Sequence, residues 1–209
     1  VKRICALFLA LLNCCAPTLS VVHDAKSAPY VPTSGYFGNF TDVKPDPHAQ
    51  NHVVYVWIDS SFTSPTVEAI SSALSEWNYI LNGYVTYKIK EAHWSYDATW
   101  EDHVSATEEG LIFKKVPIDE TGTLAEVNSI PGNVVSVYED RLLFWSERTV
   151  ILHEIGHILG LRHLPIKGTL MYPYVQYQSH CVDRIAIREL ATAAEYLKAE
   201  YLNYCTNGD

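Results

Sequence analysis

The sequence predicts an α+β domain. Three observations carry the prediction: short runs rich in β-branched and aromatic residues, apolar stripes at steps of three and four, and HEIGHILGLRH at residues 153–163, a helix that runs into a turn. The 209 residues suffice for one domain with a sizeable core. Apolar residues make up 48% of the chain, which argues for a packed globule rather than disorder.

The elements follow in order. His52–Ile58 (HVVYVWI) is a strand candidate. A helix follows, with Ser64 as its cap and Pro65 at its first position. Val67, Ile70, Leu74, Trp77 and Leu81 form its buried stripe, and Asn82-Gly83 stops it. Tyr84–Ile89 is a second strand. Residues 91–109 read as a polar and aromatic loop, with His93, Asp97 and His103 at its surface. Leu111–Val116 and Asn133–Tyr138 are further strand candidates. Ser146 caps the helix that carries the histidines, and Glu147 suits its first turn. The last helix starts near Asp183, with Ile187, Leu190, Ala194, Leu197 and Tyr201 as its stripe.

The histidine cluster is the chemically informative part. His153 and His157 are four residues apart, so a helix sets both imidazoles on one face, one turn apart. Glu154 leaves the helix at another angle and can stand beside a metal-bound water without ligating. Gly160 ends the helix in a left-handed conformation, and the chain then turns to bring His163 to the same ion. Three protein ligands leave a fourth position for water, the arrangement of one catalytic Zn2+ rather than a structural one. A lone HExxH is a weak pattern that ordinary amphipathic helices also carry. The extended form, with Gly160 and His163, is far more specific.

Met171, the only methionine, follows His163 by eight residues in GTLMYPYV. Here the chain resembles the metzincin metalloproteases and, within them, the matrixins (the matrix-metalloproteinase family). The resemblance covers roughly residues 50–205 and is strongest from 145 to 175. It implies a twisted, mostly parallel sheet of about five strands, an antiparallel edge strand along the cleft, and three main helices. Met171 would form the apolar floor beneath the histidines. GTLAEV at 122–127 resembles the family's edge strand, so Leu124 and Ala125 would meet substrate backbone. Pro173, Tyr174 and Val175 would line the primed-side pocket, with Val175 where the family has tyrosine. The family's histidine in the edge strand is replaced by Glu126, and the glycine- and aspartate-rich loop before it is shortened. Both departures count against the family's structural zinc and Ca2+ sites.

The start of the chain reads as a leader at residues 1–20, with Lys2 and Arg3 before an apolar Ile4–Leu12. Lipidation at Cys14 or Cys15 is the alternative to secretion. The apolar stretch is too short to span a bilayer. Residues 21–49 read as a pro-segment or linker, rich in Pro, Gly, Ser, Asp and His, and 50–209 as the catalytic domain. Asp24 is the candidate latency ligand. Outside the leader only Cys181 and Cys205 remain. One helix of about 20 residues between them, about 30 Å long, would hold them too far apart for a disulfide.

A formal charge of −9 argues against nucleic acid or anionic membrane as the main partner. The expected partners are protein or peptide substrates, and the expected state is a monomer. The resemblance implies a secreted zinc endopeptidase in which a zinc-activated water attacks the peptide carbonyl and Glu154 is the general base. Two alternatives stand beside it. One is a non-catalytic module that keeps zinc only to hold its fold. The other is a zincin with a different substrate.

Overall fold

A computed structural model describes residues 39–94, 110–142 and 146–206. The leader, Asp24, Asp97 and His103 lie outside the described residues. The elements are β1 (His52–Asp59), α1 (Ser64–Leu81), β2 (Val85–Trp94), β3 (Gly110–Lys115), β4 (Ala125–Val127), β5 (Val134–Val137), α2 (Glu139–Leu142), α3 (Glu147–Ile158) and α4 (Arg184–Ala193). Single 3-10 turns occur at Val175–Tyr177 and Ala199–Tyr201.

The sheet order is β2-β1-β3-β5-β4. All pairs are parallel except β4 with β5, which is antiparallel and forms one edge. This is the expected α+β architecture, with α1, α3 and α4 as the three main helices and α2 a single extra turn. One face of the sheet supplies Val56, Ile58, Phe113, Val135 and Val137 to the core. Against it lie Ile70, Leu74 and Trp77 of α1 and Ile151, Leu152 and Ile155 of α3. Burial of these side chains, about 1.5–3 kcal/mol each, is what holds the layers together. Trp77 also donates its indole N–H to the carbonyl of Leu152 at 3.1 Å, which fixes α3 against α1. Between the same helices, the buried Glu76 carboxylate pairs with Arg148 and accepts the Val182 N–H at 2.9 Å.

Three local expectations shift. The cap of α1 is Thr63, not Ser64, and its side chain makes no capping bond to the helix backbone. Its N–H and hydroxyl both donate to one oxygen of Glu139, at 2.7 and 2.8 Å. A carboxylate is the stronger partner, so the hydroxyl gives its proton to Glu139 while its oxygen lies 3.3 Å from the Thr66 hydroxyl. β2 runs past Ile89 through His93 to Trp94, because β1 continues to offer backbone partners up to Asp59. Residues 91–94 of the expected loop are therefore strand, and its remainder lies outside the described residues.

The third shift is larger. α4 ends at Ala193, and Ala194 is extended with φ −124° and ψ 92°. Leu197 and Leu202 are buried, but the backbone that carries them has turned back. The Cys205 N–H donates to the Val182 carbonyl at 2.8 Å. Cys181 and Cys205 are joined in a disulfide, with Cα atoms 6.0 Å apart. This overturns the expectation of two separated thiols. The physical reason lies at the end of α1, whose last carbonyls need donors. Asn203 supplies them: its N–H donates to Ile80 and its side-chain amide to Tyr79, both at 3.0 Å. A continuous helix would carry Asn203 away from that site.

Residues 39–49 lie against the same end of the domain. The Thr41 N–H donates to Tyr204 at 2.9 Å, and Phe40 bridges to Cys205. Asp46 is buried, accepts the Tyr84 hydroxyl at 2.7 Å and pairs with Lys198 at 3.2 Å. This part of the expected linker is packed onto the globule. No described helix is long and apolar enough to cross a membrane.

Candidate metal centre

α3 begins as its sequence predicts. Ser146 caps it by accepting the Thr149 N–H, and Glu147 lies in its first turn. Four residues of spacing then place His153 and His157 side by side, both 5% exposed. Gly160, at φ 99°, takes the chain out of the helix. The Gly160 and Leu161 N–H groups donate to His157 and Gly156 at 3.0 and 2.9 Å, which closes the turn. His163 comes round so that its Nε2 lies 3.2 Å from the Nε2 of both His157 and His153.

Two backbone carbonyls fix what those nitrogens can do. The Leu170 carbonyl lies 2.8 Å from His153 Nδ1, and the Leu161 carbonyl 2.7 Å from His157 Nδ1. A carbonyl only accepts, so each Nδ1 carries the proton and each Nε2 presents a bare lone pair. The Nε2 atoms of His153 and His157 thus have no proton to offer, and the Nε2 of His163 has at most one for the two of them, so the cluster is not held by mutual hydrogen bonds. Tetrahedral zinc with Zn–N bonds of about 2.0–2.1 Å needs ligand nitrogens about 3.3 Å apart. The observed 3.2 Å fits that edge. Burial, the first cause in each case, also pushes all three imidazoles toward the neutral form that a metal requires. For His153 the value falls to about 3 despite the opposing Leu170 bond.

Met171 is fully buried, and the Leu164 N–H donates to its carbonyl at 2.8 Å, which ties the bend after His163 to the methionine turn. Its sulfur packs under α3 at Gly156, where an added Cβ would stand only 2.6 Å from it. Sequence reasoning did not single out Gly156, though it lies inside the histidine motif. Asp183 also escaped notice as a site residue. Its Oδ1 caps α4 by accepting Ile185 and Ala186 N–H, while its Oδ2 accepts the Leu170 N–H at 2.7 Å. One carboxylate thus holds the peptide unit next to the carbonyl that orients His153. Gln178 donates to the Tyr172 carbonyl at 2.7 Å and rests against the same imidazole.

Glu154 is 6% exposed, and among the described residues its carboxylate has no hydrogen-bond partner. Burial, with a smaller contribution from the negative charge of Glu126, raises it to about 8. A buried acid with a raised pKa, adjacent in sequence to the first histidine of the cluster, is the kind of group that proton transfer uses. The metal's own charge opposes that upward shift.

On the substrate side, α3 lies against β4, and residues 173–175 follow Met171 directly. Pro173 and Tyr174 are exposed, and Val175 is half-buried at the start of a 3-10 turn. The rings of Tyr174 and Tyr177 flank Tyr172 at 5.9 and 6.0 Å. Ala125 and Leu124 differ. The Leu124 carbonyl accepts the Tyr138 N–H at 3.0 Å and so faces β5, not the open edge.

The site thus brings together three imidazoles spaced for a zinc ion, a buried methionine and an acid with no hydrogen-bond partner among the described residues. The matrixin family model matches residues 87–190, a stretch that includes the whole histidine motif. No curated protein sequence matches the chain significantly. Among solved structures, the chain is similar to metalloproteinase-II from Bacteroides fragilis, with 16% identity, a TM-score of 0.42 and coverage of 68% of this chain and 52% of that one. The chain thus spans about half the length of that protein. It is also similar to archaemetzincin from Methanopyrus kandleri, with 16% identity, a TM-score of 0.48 and coverage of 69% of this chain and 96% of that one.

Proposed function

We propose that the chain is an exported, matrixin-like zinc endopeptidase that hydrolyses internal peptide bonds with Glu154 as general base. The observation that carries this reading is the meeting of His153, His157 and His163, with the His163 Nε2 3.2 Å from each of the other two, and Glu154, next to the first of them in sequence, without a hydrogen-bond partner among the described residues. Zinc, when held there, supplies Lewis acidity toward water and toward a carbonyl oxygen.

The chain's residues divide the remaining work. The two carbonyl-anchored histidines hold their rings still, so the ligand atoms need no rearrangement. Glu154 takes a proton from the attacking water and delivers it to the departing amine, so the carboxylate ends as it began. The open edge of β4 supplies backbone groups that can align an extended peptide. The Cys181–Cys205 disulfide supports export, because such bonds persist in oxidising compartments.

The test is digestion of a peptide library by the purified protein, with and without a chelator, and with zinc content measured on the same sample. Cleavage within peptides that disappears with the metal and returns with added zinc is the expected result. Zinc bound without cleavage of any peptide would favour the non-catalytic module.

A further inference from the structure

Among the described residues β4 is the last strand of the sheet, so one of its sides has no partner strand there. Its ladder with β5 shows which backbone groups face that side. Leu124 accepts from Tyr138, and Asn128 donates to Val134 at 3.0 Å, so residues 124 and 128 face β5. Antiparallel pairing alternates, so Glu126, paired with Ser136, also directs its backbone inward. Ala125 and Val127 therefore turn their N–H and C=O groups to the open edge. A peptide added antiparallel forms its hydrogen-bonded pairs with these two residues. Its residue opposite Glu126 then falls in a non-hydrogen-bonded pair, where side chains approach most closely, with Cα atoms about 4.5 Å apart.

The side chain at that place is an exposed carboxylate. The nearby Asp119 has its charge met by Arg141 at 2.9 Å. Glu126 has no such cation: among the described residues its only partner is the Tyr138 hydroxyl, at 3.1 Å, and that single proton also faces Asp119 at 3.2 Å. We infer that Glu126 is a specificity-determining residue, selecting a lysine or arginine at the substrate position that pairs across the open edge of β4. Opposite charges directly across a strand pair attract, and like charges repel. The inference rests on the endopeptidase reading and adds a substrate class to it: proteins with a basic residue at one fixed distance from the cleaved bond.

The test uses peptides that carry Lys, Ala or Glu in turn at each position around one cleavage site. Each is assayed for kcat/KM, and each is also assayed for binding to the Glu154→Gln protein by fluorescence anisotropy at low and high salt. One position should favour Lys over Glu by roughly three- to tenfold, in both assays, with the preference shrinking at high salt. Glu126→Gln should flatten that preference and Glu126→Lys should invert it. An unchanged preference in Glu126→Lys, or no charge preference at any position while peptides are still cleaved, would overturn the inference. If no peptide is cleaved or bound, the endopeptidase reading fails, and the inference with it.

Discussion

The sulfur of Met171 occupies the space that a side chain at position 156 would need, since a Cβ there would lie 2.6 Å away. The methionine floor and the glycine above it are therefore one packing unit, and the helix that carries His153 and His157 approaches the floor only because Gly156 has no side chain.

A prediction follows directly. In an unconstrained helix, Gly→Ala stabilises by roughly 0.5–1 kcal/mol. Here Gly156→Ala should instead destabilise by about 1–3 kcal/mol, the usual result of overpacking. Denaturant midpoints of the two proteins measure it. A stabilised variant would mean that the floor is looser than the packing shows.

Asp183 links the start of α4 to the metal centre through Leu170 and His153. Asp183→Asn can keep an oxygen for the α4 cap but sets an amide donor against the Leu170 N–H. The zinc dissociation constant should rise about 10- to 100-fold, the range for loss of an orienting group behind a ligand. Competition with a metal indicator measures this. Affinity within a factor of two of the parent would show that Leu170 is held by other contacts.

Glu139 sets an acid limit on stability. Burial alone raises its carboxyl, but bonds from Lys115, Thr66 and Thr63 outweigh burial and hold it at about 2. A depressed carboxyl stabilises the fold above its unfolded value of 4.5, and that contribution is lost as pH falls toward about 2. Urea unfolding of the chelator-treated protein from pH 6 down to pH 2 should show a progressive loss, on the order of 2–3 kcal/mol in total. Glu139→Gln should flatten that slope. An equal slope in the variant would assign the acid sensitivity to other groups.

The Cys181–Cys205 bridge closes a loop with a sequence separation of 24. Replacing both cysteines with serine should cost about 3 kcal/mol by the chain-entropy account. A lowered thermal midpoint, matched by the parent protein under reductant, is the expected result. No change on reduction would mean that the turn after α4 holds itself.

Much of this structure was legible in the sequence because the informative signals were local. The spacing of His153, His157, Gly160 and His163 depends only on helix geometry and one left-handed residue. The stripe from Ile70 to Leu81 likewise needs only a period. Fold-level features such as the edge strand at Ala125–Val127 came from resemblance. The failures were tertiary. Leu197 and Tyr201 kept helical spacing, yet the helix had ended at Ala193, because Asn203 meets the carbonyls at the end of α1 and Cys205 returns to Cys181. Gly156 and Asp183 gained their roles from partners distant in sequence, Met171 and Leu170, which no local pattern marks. The packing of residues 39–49 against Tyr84 and Tyr204 was invisible for the same reason.

The most direct test of the central claim is the Glu154→Gln protein, assayed for bound zinc and for peptide turnover in the same preparation. The arrangement predicts about one zinc per chain, as in the parent, with cleavage reduced by at least 100-fold, the scale of general acid–base catalysis. Full turnover with zinc retained would contradict Glu154 as the base.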